Sequence, residues 1–321
     1  MLFRPGRHTT CEGVSGQRPG NLARVSDKPS APFGLVATAM ITPFDSSGRV
    51  DHETAWRLAR HLTEQGTDTL VVTGTTGESP TLSDQEKLAL YKTVVDAVAE
   101  KRAKVVAGTG TYDTAHSVEL TEAAKDLGVD GVLAVTPYYN KPTQAGLIGH
   151  FTAIADVGVP VMLYNIPGRT GRLIEIETLA RLADHPGIVA TKDAVESLDF
   201  TSRTVNRIPG FPVYSGQDSL TLPMLAVGAV GVVSVVSHLA GKTVRAMIES
   251  ARDGDWDEAR RLHHLLLPLC EACFLETNPG PVKTAMGAFW EPVGDVRLPL
   301  VGASDETLAA VEKALGAIHG P

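Results

Sequence analysis

The hydrophobic pattern of the chain repeats over most of its length. From about residue 35, short apolar runs alternate with amphipathic segments, and loops rich in Gly, Thr, Pro or Asn join them. An apolar run of four to seven residues between turn residues is typical of a strand buried on both faces. Within 52–65, by contrast, the apolar residues recur at the spacing of a helix. Those residues are Ala55, Leu58, Ala59 and Leu62.

Eight such units follow one another. The apolar runs predict strands at Leu35–Ile41, Thr69–Val72, Lys104–Ala107, Gly131–Val135, Val159–Tyr164, Ile188–Lys192, Val213–Ser215 and Gly231–Val235. The amphipathic segments predict helices at His52–Gln65, Asp84–Ala99, Ala115–Leu127, Gln144–Ala155, Glu175–Ala183 and Ser219–Val227. Eight alternations over roughly 200 residues favour a (β/α)₈ TIM barrel; an open doubly wound sheet is the main alternative.

The pattern changes after the last predicted strand. From there only helices are predicted, at Thr243–Arg252, Asp255–Phe274, Val282–Phe289 and Asp305–Ile318. We interpret the first as the last helix of the barrel and the others as an appended C-terminal helical layer. The first 32 residues carry basic side chains among Gly, Ser, Thr and Pro without a period, which is typical of a disordered tail. The expected domains are therefore a tail at 1–32, a catalytic barrel at 33–253 and a helical layer at 254–321.

Composition and charge narrow the class of protein. The chain is 43% hydrophobic but only 5% aromatic, as expected for a core of parallel strands and helices. A formal net charge of −8 argues against a nucleic-acid partner. No apolar run approaches the length of a membrane span, and the N-terminus lacks the apolar middle of a signal peptide. Three cysteines give no disulfide framework, so a cytoplasmic protein is expected.

One lysine stands at the end of a predicted strand. The run Gly187–Asp193 is small and apolar until it reaches Lys192. Burial disfavours the charged form of such a lysine and lowers its pKa, which supplies the free amine that a Schiff base needs. The alternative is a lysine whose head reaches past the strand end to solvent. The residues after it, 194–198, have helical character.

The other lysines fit a barrel active site less well. In a TIM barrel the chemistry gathers in the loops that follow the strands. Lys104 begins its strand, Lys141 lies well beyond one, and Lys283 falls in the helical layer. Of the eleven lysines, Lys192 alone directly closes a predicted strand.

Three strand-end loops carry further polar groups. Gly74–Ser79 offers consecutive N–H groups and glycines that let a ligand approach closely, although an ordinary turn would look the same. It lacks the lysine of a nucleotide-binding loop. Thr136–Asn140 and Leu163–Gly171 hold three of the six tyrosines, with Arg169 placed to clamp a carboxylate. Taken singly, each could be a packing tyrosine or a surface arginine, but all fall on one face of the barrel.

Taken together, these stretches resemble the dihydrodipicolinate synthase family, one of the pyruvate-dependent Schiff-base aldolases that include N-acetylneuraminate lyase. The resemblance covers about residues 34–301 and rests on the threonine pair, the Tyr-Tyr-Asn loop, the Tyr-Asn-Ile-Pro-Gly-Arg-Thr-Gly stretch and Lys192. It implies a lyase that condenses pyruvate with L-aspartate 4-semialdehyde to give 4-hydroxy-tetrahydrodipicolinate, on the route to diaminopimelate and lysine. It implies no cofactor, because the substrate itself forms the imine.

The resemblance also implies roles for single residues. Those implied as catalytic are Lys192, Tyr164, Thr75 and Tyr139, and those implied as substrate-binding are Thr76, Arg169, Gly216 and Val233. Lys192 would form the imine, and the three other catalytic residues would relay protons. Tyr139 would be lent by the neighbouring subunit of a tight dimer, and two such dimers would make a tetramer. Gln217 departs from the acidic residue expected in some members, which bears on recognition of the second substrate.

Two other functions stay open. One is a related class I pyruvate aldolase that acts on a sugar acid or a hydroxy-oxo acid. The other is a non-catalytic metabolite-binding protein on the same barrel, although a sensor has no need of an imine lysine.

Several polar residues are interpreted as structural. Cys270 and Cys273, near His263 and His264, form a lone Cys-x-x-Cys in an apolar helix and are expected to pack rather than bind zinc. His238 is also expected to be structural, and Glu78 is interpreted as a hydrogen-bonding brace for its turn.

The resemblance places a regulatory lysine site at the dimer interface, around Ser79, Pro80, Asp84, Lys87, Tyr112, His116 and Tyr138. His116 stands where lysine-inhibited relatives use a carboxylate, and Lys87 stands where they use a neutral histidine. Since like charges at an interface can cost several kcal/mol, little feedback inhibition by L-lysine is expected.

Overall fold

The computed structural model describes residues 30–101 and 103–319, so the predicted tail lies outside the described residues up to position 29. Eight strands close into a barrel in sequence order, and each neighbouring pair is parallel. They are β1 Val36–Ala39, β2 Thr69–Val72, β3 Lys104–Gly108, β4 Gly131–Val135, β5 Val161–Asn165, β6 Ile188–Asp193, β7 Val213–Ser215 and β8 Gly231–Ser234. The prediction of a TIM barrel is therefore confirmed.

Helices alternate with the strands and then continue alone. They are α1 His52–Glu64, α2 Asp84–Val98, α3 Thr114–Asp126, α4 Gln144–Ala155, α5 Pro167–Thr170, α6 Ile176–Ala183, α7 Leu198–Arg207, α8 Thr221–Ala226, α9 Ser237–Asp253, α10 Trp256–Ala272, α11 Gly280–Phe289 and α12 Asp305–His319. Helix α10 packs against both α9 and α12, which gives the C-terminal helical layer. Within the described ranges, none of these helices is long and apolar enough to cross a membrane.

Side chains from the strands fill the interior of the barrel at its N-terminal end. Phe33 closes this end, where its N–H donates to the hydroxyl of Tyr214 at 2.9 Å. Gly131 must be a glycine because a Cβ there would lie 2.7 Å from the Phe33 ring. With this end packed, the open end of the barrel is the one at which the strands finish.

Most elements lie close to their predicted bounds. The bounds of β2, β4, β7 and α4 agree with the prediction, because each is a mainly apolar run between turn residues. The last barrel helix begins earlier than predicted, at Ser237, and has a non-helical residue at Ala240. The segment predicted at 219–227 begins as a 3₁₀ turn, Asp218–Leu220, before α8.

The helical character expected at 194–198 is wrong for its first four residues. These form a turn, and α7 begins only at Leu198, with Ser197 as its N-cap. The side chain of Asp193 accepts a hydrogen bond from the N–H of Val195 at 3.0 Å, and Glu196 has a left-handed φ of 63°. A side chain that captures a backbone N–H in this way competes with the helix. Helix α7 itself was not predicted.

Candidate active site

Two adjoining cavities occupy the open end of the barrel. The lysine cavity, about 700 Å³, is lined by Lys192, Gly216, Val235 and neighbouring residues. The turn cavity, about 320 Å³, lies beside 73–81 and extends to the loop that holds Pro299 and Leu300. Residues that line both are Thr75, Tyr164, Ile166, Arg169 and Asn278. Their combined size and shared wall suit two small substrates that meet at one centre.

Lys192 is the lysine that reaches the cavities. It is buried, pairs with Tyr164 across β5 and β6, and places Nζ 4.2 Å from the centre of the Tyr164 ring. Strand β6 continues for one more residue, so Lys192 is its penultimate member rather than its last. Lys87 and Lys283 are also buried, but neither lines these two cavities.

The backbone around Lys192 is held by its neighbours. Asp193 is buried and accepts a hydrogen bond from the Thr201 hydroxyl at 2.6 Å. Burial raises the pKa of Asp193, while that hydroxyl opposes the shift. The N–H of Gly216 donates to the carbonyl of Asp193 at 2.7 Å, and a Cβ at Gly216 would lie 2.8 Å from the Cβ of Ala194. Only glycine therefore lets β7 approach the lysine strand this closely.

Gly74–Ser79, which we call the carboxylate turn, forms one wall of both cavities. Thr75 lines both of them, and Thr76 lines the lysine cavity. The Thr76 hydroxyl accepts a hydrogen bond from the side-chain amide of Asn278 at 3.0 Å. Gly77 has no room for a side chain, because a Cβ would lie 2.9 Å from the backbone of Thr73.

Tyr139 lies outside both cavities. Its side chain is 93% exposed and its φ of 69° is left-handed, as is that of Lys141 at 46°. Asn140 fixes the loop between them, since its side-chain amide donates to the carbonyl of Tyr112 at 2.9 Å. The loop therefore presents Tyr139 outward from this chain.

The remaining predicted site residues differ in their position. Arg169, in α5, lines both cavities, and its Nη2 lies 3.5 Å from the carbonyl oxygen of Asn278. Gln217 lines the lysine cavity. Val233 packs in the barrel interior, while Val235, just past the end of β8, lines the lysine cavity.

Sequence reasoning missed the contribution of the helical layer. Asn278 is buried and lines both cavities, and its Oδ1 atom has no hydrogen-bond partner among the described residues. Lys283, set aside as a lysine of the layer, is almost fully buried and bonds Glu78. The sequence did offer one signal, which is a lysine on the apolar face of a helix. Lysines are almost never fully buried unless they are paired, so such a position indicates a buried partner.

Asp218 organises the end of β8. This carboxylate is buried and accepts hydrogen bonds from the Ser234 hydroxyl and from the N–H groups of Val235 and Val236. Burial raises its pKa, while these three donors oppose the shift. The result is a fixed entry into α9 beside the cavity wall at Val235.

The residues interpreted as structural make packing and hydrogen-bond contacts. The His238 Nε2 atom accepts the N–H of Ile41 at 3.1 Å and Nδ1 bonds the carbonyl of Val235 at 2.8 Å. Cys270 and Cys273 are buried free thiols within the packing of the helical layer. Glu78 is a brace, although its partners are in the helical layer rather than in its own turn. Across 30–101 and 103–319, no cluster of three or more His, Cys, Asp or Glu is arranged to hold a metal.

The surface implied as a regulatory site is already internally paired. Asp84 accepts from His116 Nε2 at 2.8 Å and lies 3.5 Å from the Nζ of Lys87. Beside them the rings of Tyr112 and Tyr138 meet edge to face, 5.3 Å apart.

Comparisons with known proteins agree with this geometry. A model described as the Dihydrodipicolinate synthetase family matches residues 32–318. A 4-hydroxy-tetrahydrodipicolinate synthase of Heliobacterium modesticaldum is 52% identical over 283 residues, 88% of this chain and 94% of that protein. One of Synechococcus sp. strain CC9605 is 53% identical over 291 residues, 90% and 96% of the two chains. The crystal structure of the Cyanidioschyzon merolae enzyme with lysine bound has a TM-score of 0.88 at 44% identity, covering 90% of this chain and 99% of that one.

Proposed function

The chain belongs to the dihydrodipicolinate synthetase family, and we propose that Lys192 carries its reaction as the imine-forming lysine. The reaction condenses pyruvate with L-aspartate 4-semialdehyde to give 4-hydroxy-tetrahydrodipicolinate. The observation that carries the assignment of Lys192 is its position: a buried lysine near the end of β6 that opens into the lysine cavity beside Tyr164.

The first half of the reaction makes a nucleophile from pyruvate. The free amine of Lys192 adds to the keto carbon of pyruvate, and loss of water gives the imine. A proton then leaves the methyl carbon, and its electron pair moves toward the imine nitrogen to give the enamine. Tyr164 and Thr75 would carry this proton, and their position in the lining of both cavities supports this role. Thr75 and Thr76 would hold the pyruvate carboxylate.

The second half forms the carbon–carbon bond. The enamine carbon attacks the aldehyde carbon of the second substrate, whose oxygen takes up a proton. The amino group of that substrate then attacks the imine carbon, which closes the ring and releases the amine of Lys192. One water is lost overall, in the formation of the first imine. The protonated imine is the electron sink throughout, so the chemistry needs no cofactor.

The second substrate would enter past Arg169. This guanidinium lines both cavities and lies beside the carbonyl of Asn278, so it can bind a carboxylate at the mouth of the site. Gly216 and Val233 would contribute backbone carbonyls near the pyruvate. Gly216 lines the lysine cavity, and so does Val235, which directly follows β8; both observations support this proposal.

The partner would be a second copy of the chain. Tyr139 is almost fully exposed on a loop with two left-handed non-glycine residues, and Tyr112 beside it is also exposed. Exposed aromatic residues on a fixed loop are typical of an interface centre. We propose that Tyr139 completes the proton relay of the neighbouring subunit in a tight dimer, and that two dimers form a tetramer.

We further propose that the enzyme acts in the cytoplasm. We also propose that the boundary between the catalytic barrel and the helical layer follows Asp253, where α9 ends. The small number of cysteines in the sequence supports the cytoplasmic location.

The test is chemical trapping followed by an assay of substrate choice. Borohydride with pyruvate should inactivate the enzyme and leave a reduced three-carbon adduct on Lys192, which peptide mass spectrometry locates. Lys192→Met should be inactive and should not be labelled. An adduct on another lysine, or none, would overturn the assignment of Lys192.

Substrate choice separates the alternatives. Purified enzyme with pyruvate should turn over L-aspartate 4-semialdehyde and should not cleave sugar acids or hydroxy-oxo acids. Preferred cleavage of those compounds would identify a related pyruvate aldolase instead. Pyruvate binding without any turnover would identify a metabolite-binding barrel.

A further inference from the structure

A buried ion pair joins the carboxylate turn to the C-terminal helical layer. Lys283 Nζ donates to Glu78 Oε1 at 2.7 Å, and the two side chains are 1% and 0% exposed. Glu78 belongs to the turn after β2, whereas Lys283 belongs to α11 and lies 205 residues later. The proposed chemistry uses neither side chain.

Each member of the ion pair makes one further contact. The other carboxylate oxygen of Glu78 accepts the N–H of Arg297 at 2.7 Å, and Lys283 Nζ lies 3.9 Å from the centre of the Phe44 ring. Burial lowers the pKa of Lys283 to about 8, with Glu78 opposing the shift, so the ammonium form prevails at neutral pH. Removal of one member would leave the other charge buried without its counter-ion, which proteins tolerate poorly.

The turn that carries Glu78 needs to be held. Glu78 has a left-handed φ of 57°, a conformation that is strained for any residue but glycine and that surrounding contacts must stabilise. The carbonyl of Gly77 accepts a hydrogen bond from the Thr42 hydroxyl at 2.7 Å. Thr75 and Thr76 lie only two or three residues before Glu78, so the Glu78 conformation sets where their N–H groups and hydroxyls point.

The same part of the helical layer contacts the turn at a second point. The side-chain amide of Asn278 donates to the Thr76 hydroxyl, and α11 begins at Gly280, two residues after Asn278. The turn is therefore held from one side by Lys283 and from the other by Asn278.

We infer that Lys283 is a positioning residue for the pyruvate carboxylate, because its bond to Glu78 fixes the backbone that presents Thr75 and Thr76. The inference rests on the proposed function. Lys283 is not a catalytic residue, since it lines neither cavity and touches no reacting atom. It makes the helical layer part of the substrate site.

The test is the kinetics of Lys283→Met in the full-length enzyme. We expect KM for pyruvate to rise about tenfold or more, while kcat at saturating pyruvate stays within about threefold of the wild type, because ground-state binding is what is lost. Borohydride with saturating pyruvate should still label Lys192. KM for the aldehyde, measured at saturating pyruvate, should change little.

Two control variants separate positioning from general stability. Lys313→Met removes an exposed lysine of the same layer and should leave both KM values unchanged. Leu266→Ala removes buried packing in α10 and should lower the melting temperature without a change in KM for pyruvate. A Lys283→Met enzyme that melts earlier but keeps the wild-type KM for pyruvate would overturn the inference.

Glu78→Gln provides a second test of the positioning role if Lys283→Met yields no folded protein. The lysine left behind can lose its proton, so this variant avoids a bare buried charge. We expect the same rise in KM for pyruvate, and a wild-type value would overturn the inference. Failure of the proposed function has a different signature, which is the absence of any pyruvate adduct on Lys192 in the wild type.

Discussion

The Nζ atom of Lys192 lies 4.2 Å from the centre of the Tyr164 ring, and the two residues face each other across adjacent parallel strands. The ring face stabilises positive charge on the nitrogen, which both the ammonium and the protonated imine carry. In the proposed mechanism, the phenol hydroxyl at the far edge of the same ring passes protons. In that mechanism, Tyr164 therefore stabilises the positive charge with its ring and transfers the proton with its hydroxyl.

Gly216→Ala should impair the chemistry through the strand that carries the lysine. The new methyl would lie 2.8 Å from the Ala194 Cβ and 3.0 Å from the Asp193 carbonyl oxygen, so the backbone next to Lys192 must move. We expect kcat/KM to fall by roughly 10², the usual cost of a misplacement near 1 Å. Steady-state kinetics with both substrates measure this.

The matched control is Gly149→Ala in α4, where a Cβ meets nothing within 4 Å. Alanine is the better helix former, so this variant should be as active as the wild type and slightly more stable. Equal kinetics for both variants would show that the contact of β6 with β7 tolerates displacement.

Tyr139→Phe should lower turnover without preventing the imine. The hydroxyl is proposed to relay protons in the neighbouring subunit, and loss of such a group typically costs roughly 10²–10⁴-fold in rate. Tyr112→Phe, at the same exposed surface but outside the proposed relay, should retain activity. Sedimentation at assay concentration should find a dimer or larger, and a fully active monomer would contradict the role of Tyr139.

L-lysine should inhibit weakly or not at all. Asp84, the carboxylate of the implied site, is already bonded to His116 and paired with Lys87. Placing the ammonium groups of L-lysine beside the ammonium group of Lys87 costs more free energy than the roughly 4 kcal/mol that millimolar binding represents. Initial rates at saturating pyruvate should therefore stay constant up to about 1 mM L-lysine.

Two substitutions made together test whether sensitivity to L-lysine can be introduced. His116→Glu together with Lys87→His supplies a carboxylate and removes an ammonium group, so this double variant should become sensitive to L-lysine. Half-inhibition of the wild type below about 1 mM would contradict the charge argument.

His238 should make the enzyme acid-labile. Because Nε2 accepts the N–H of Ile41, the proton of the neutral ring is on Nδ1, and a second proton would break that bond and bury a charge. Burial lowers the pKa of His238 to about 4, against 6.5 for a free histidine. The unfolded chain therefore binds more protons between these pH values. Stability is full above pH 6.5 and is lost as the pH falls toward 4, by on the order of 3 kcal/mol from this residue.

Urea unfolding between pH 7 and pH 4.5 measures this loss. His238→Gln cannot titrate, so its stability should fall less steeply with acid than that of the wild type. His150, whose pKa burial also lowers to about 4, contributes equally to both curves and cancels in the comparison. Parallel curves would rule out His238 as the cause.

The strands could be predicted from the sequence because each is a local signal. Gly131–Val135 and Val213–Ser215 are apolar runs between turn residues, and their parallel pairing follows from the helices between them. Lys192 could be predicted for the same reason, since a lysine at the end of such a run is visible without any knowledge of its neighbours. The prediction of helical character directly after Lys192 was wrong, because the Asp193 side chain accepts a backbone N–H. The residue types alone do not reveal that hydrogen bond.

The contribution of the helical layer could not be predicted by such reasoning. Asn278 bonds a threonine 202 residues earlier, and Lys283 bonds a glutamate 205 residues earlier. No period connects positions so far apart. Val233 lies within β8 and packs in the barrel interior, whereas Val235 lies just past the end of the strand. The apolar run that holds both valines therefore cannot tell which of them meets the cavity.

The ion pair between Glu78 and Lys283 also sets an order of events during synthesis. At about 5–20 residues per second, Lys283 is made roughly 10–40 s after Glu78. During that interval the carboxylate of Glu78 has neither of its two partners, which are Lys283 and the N–H of Arg297. On the inference that Lys283 positions the carboxylate turn, the substrate site matures only when the last part of the chain has been made, and a chain that stalls before α11 should bind pyruvate poorly.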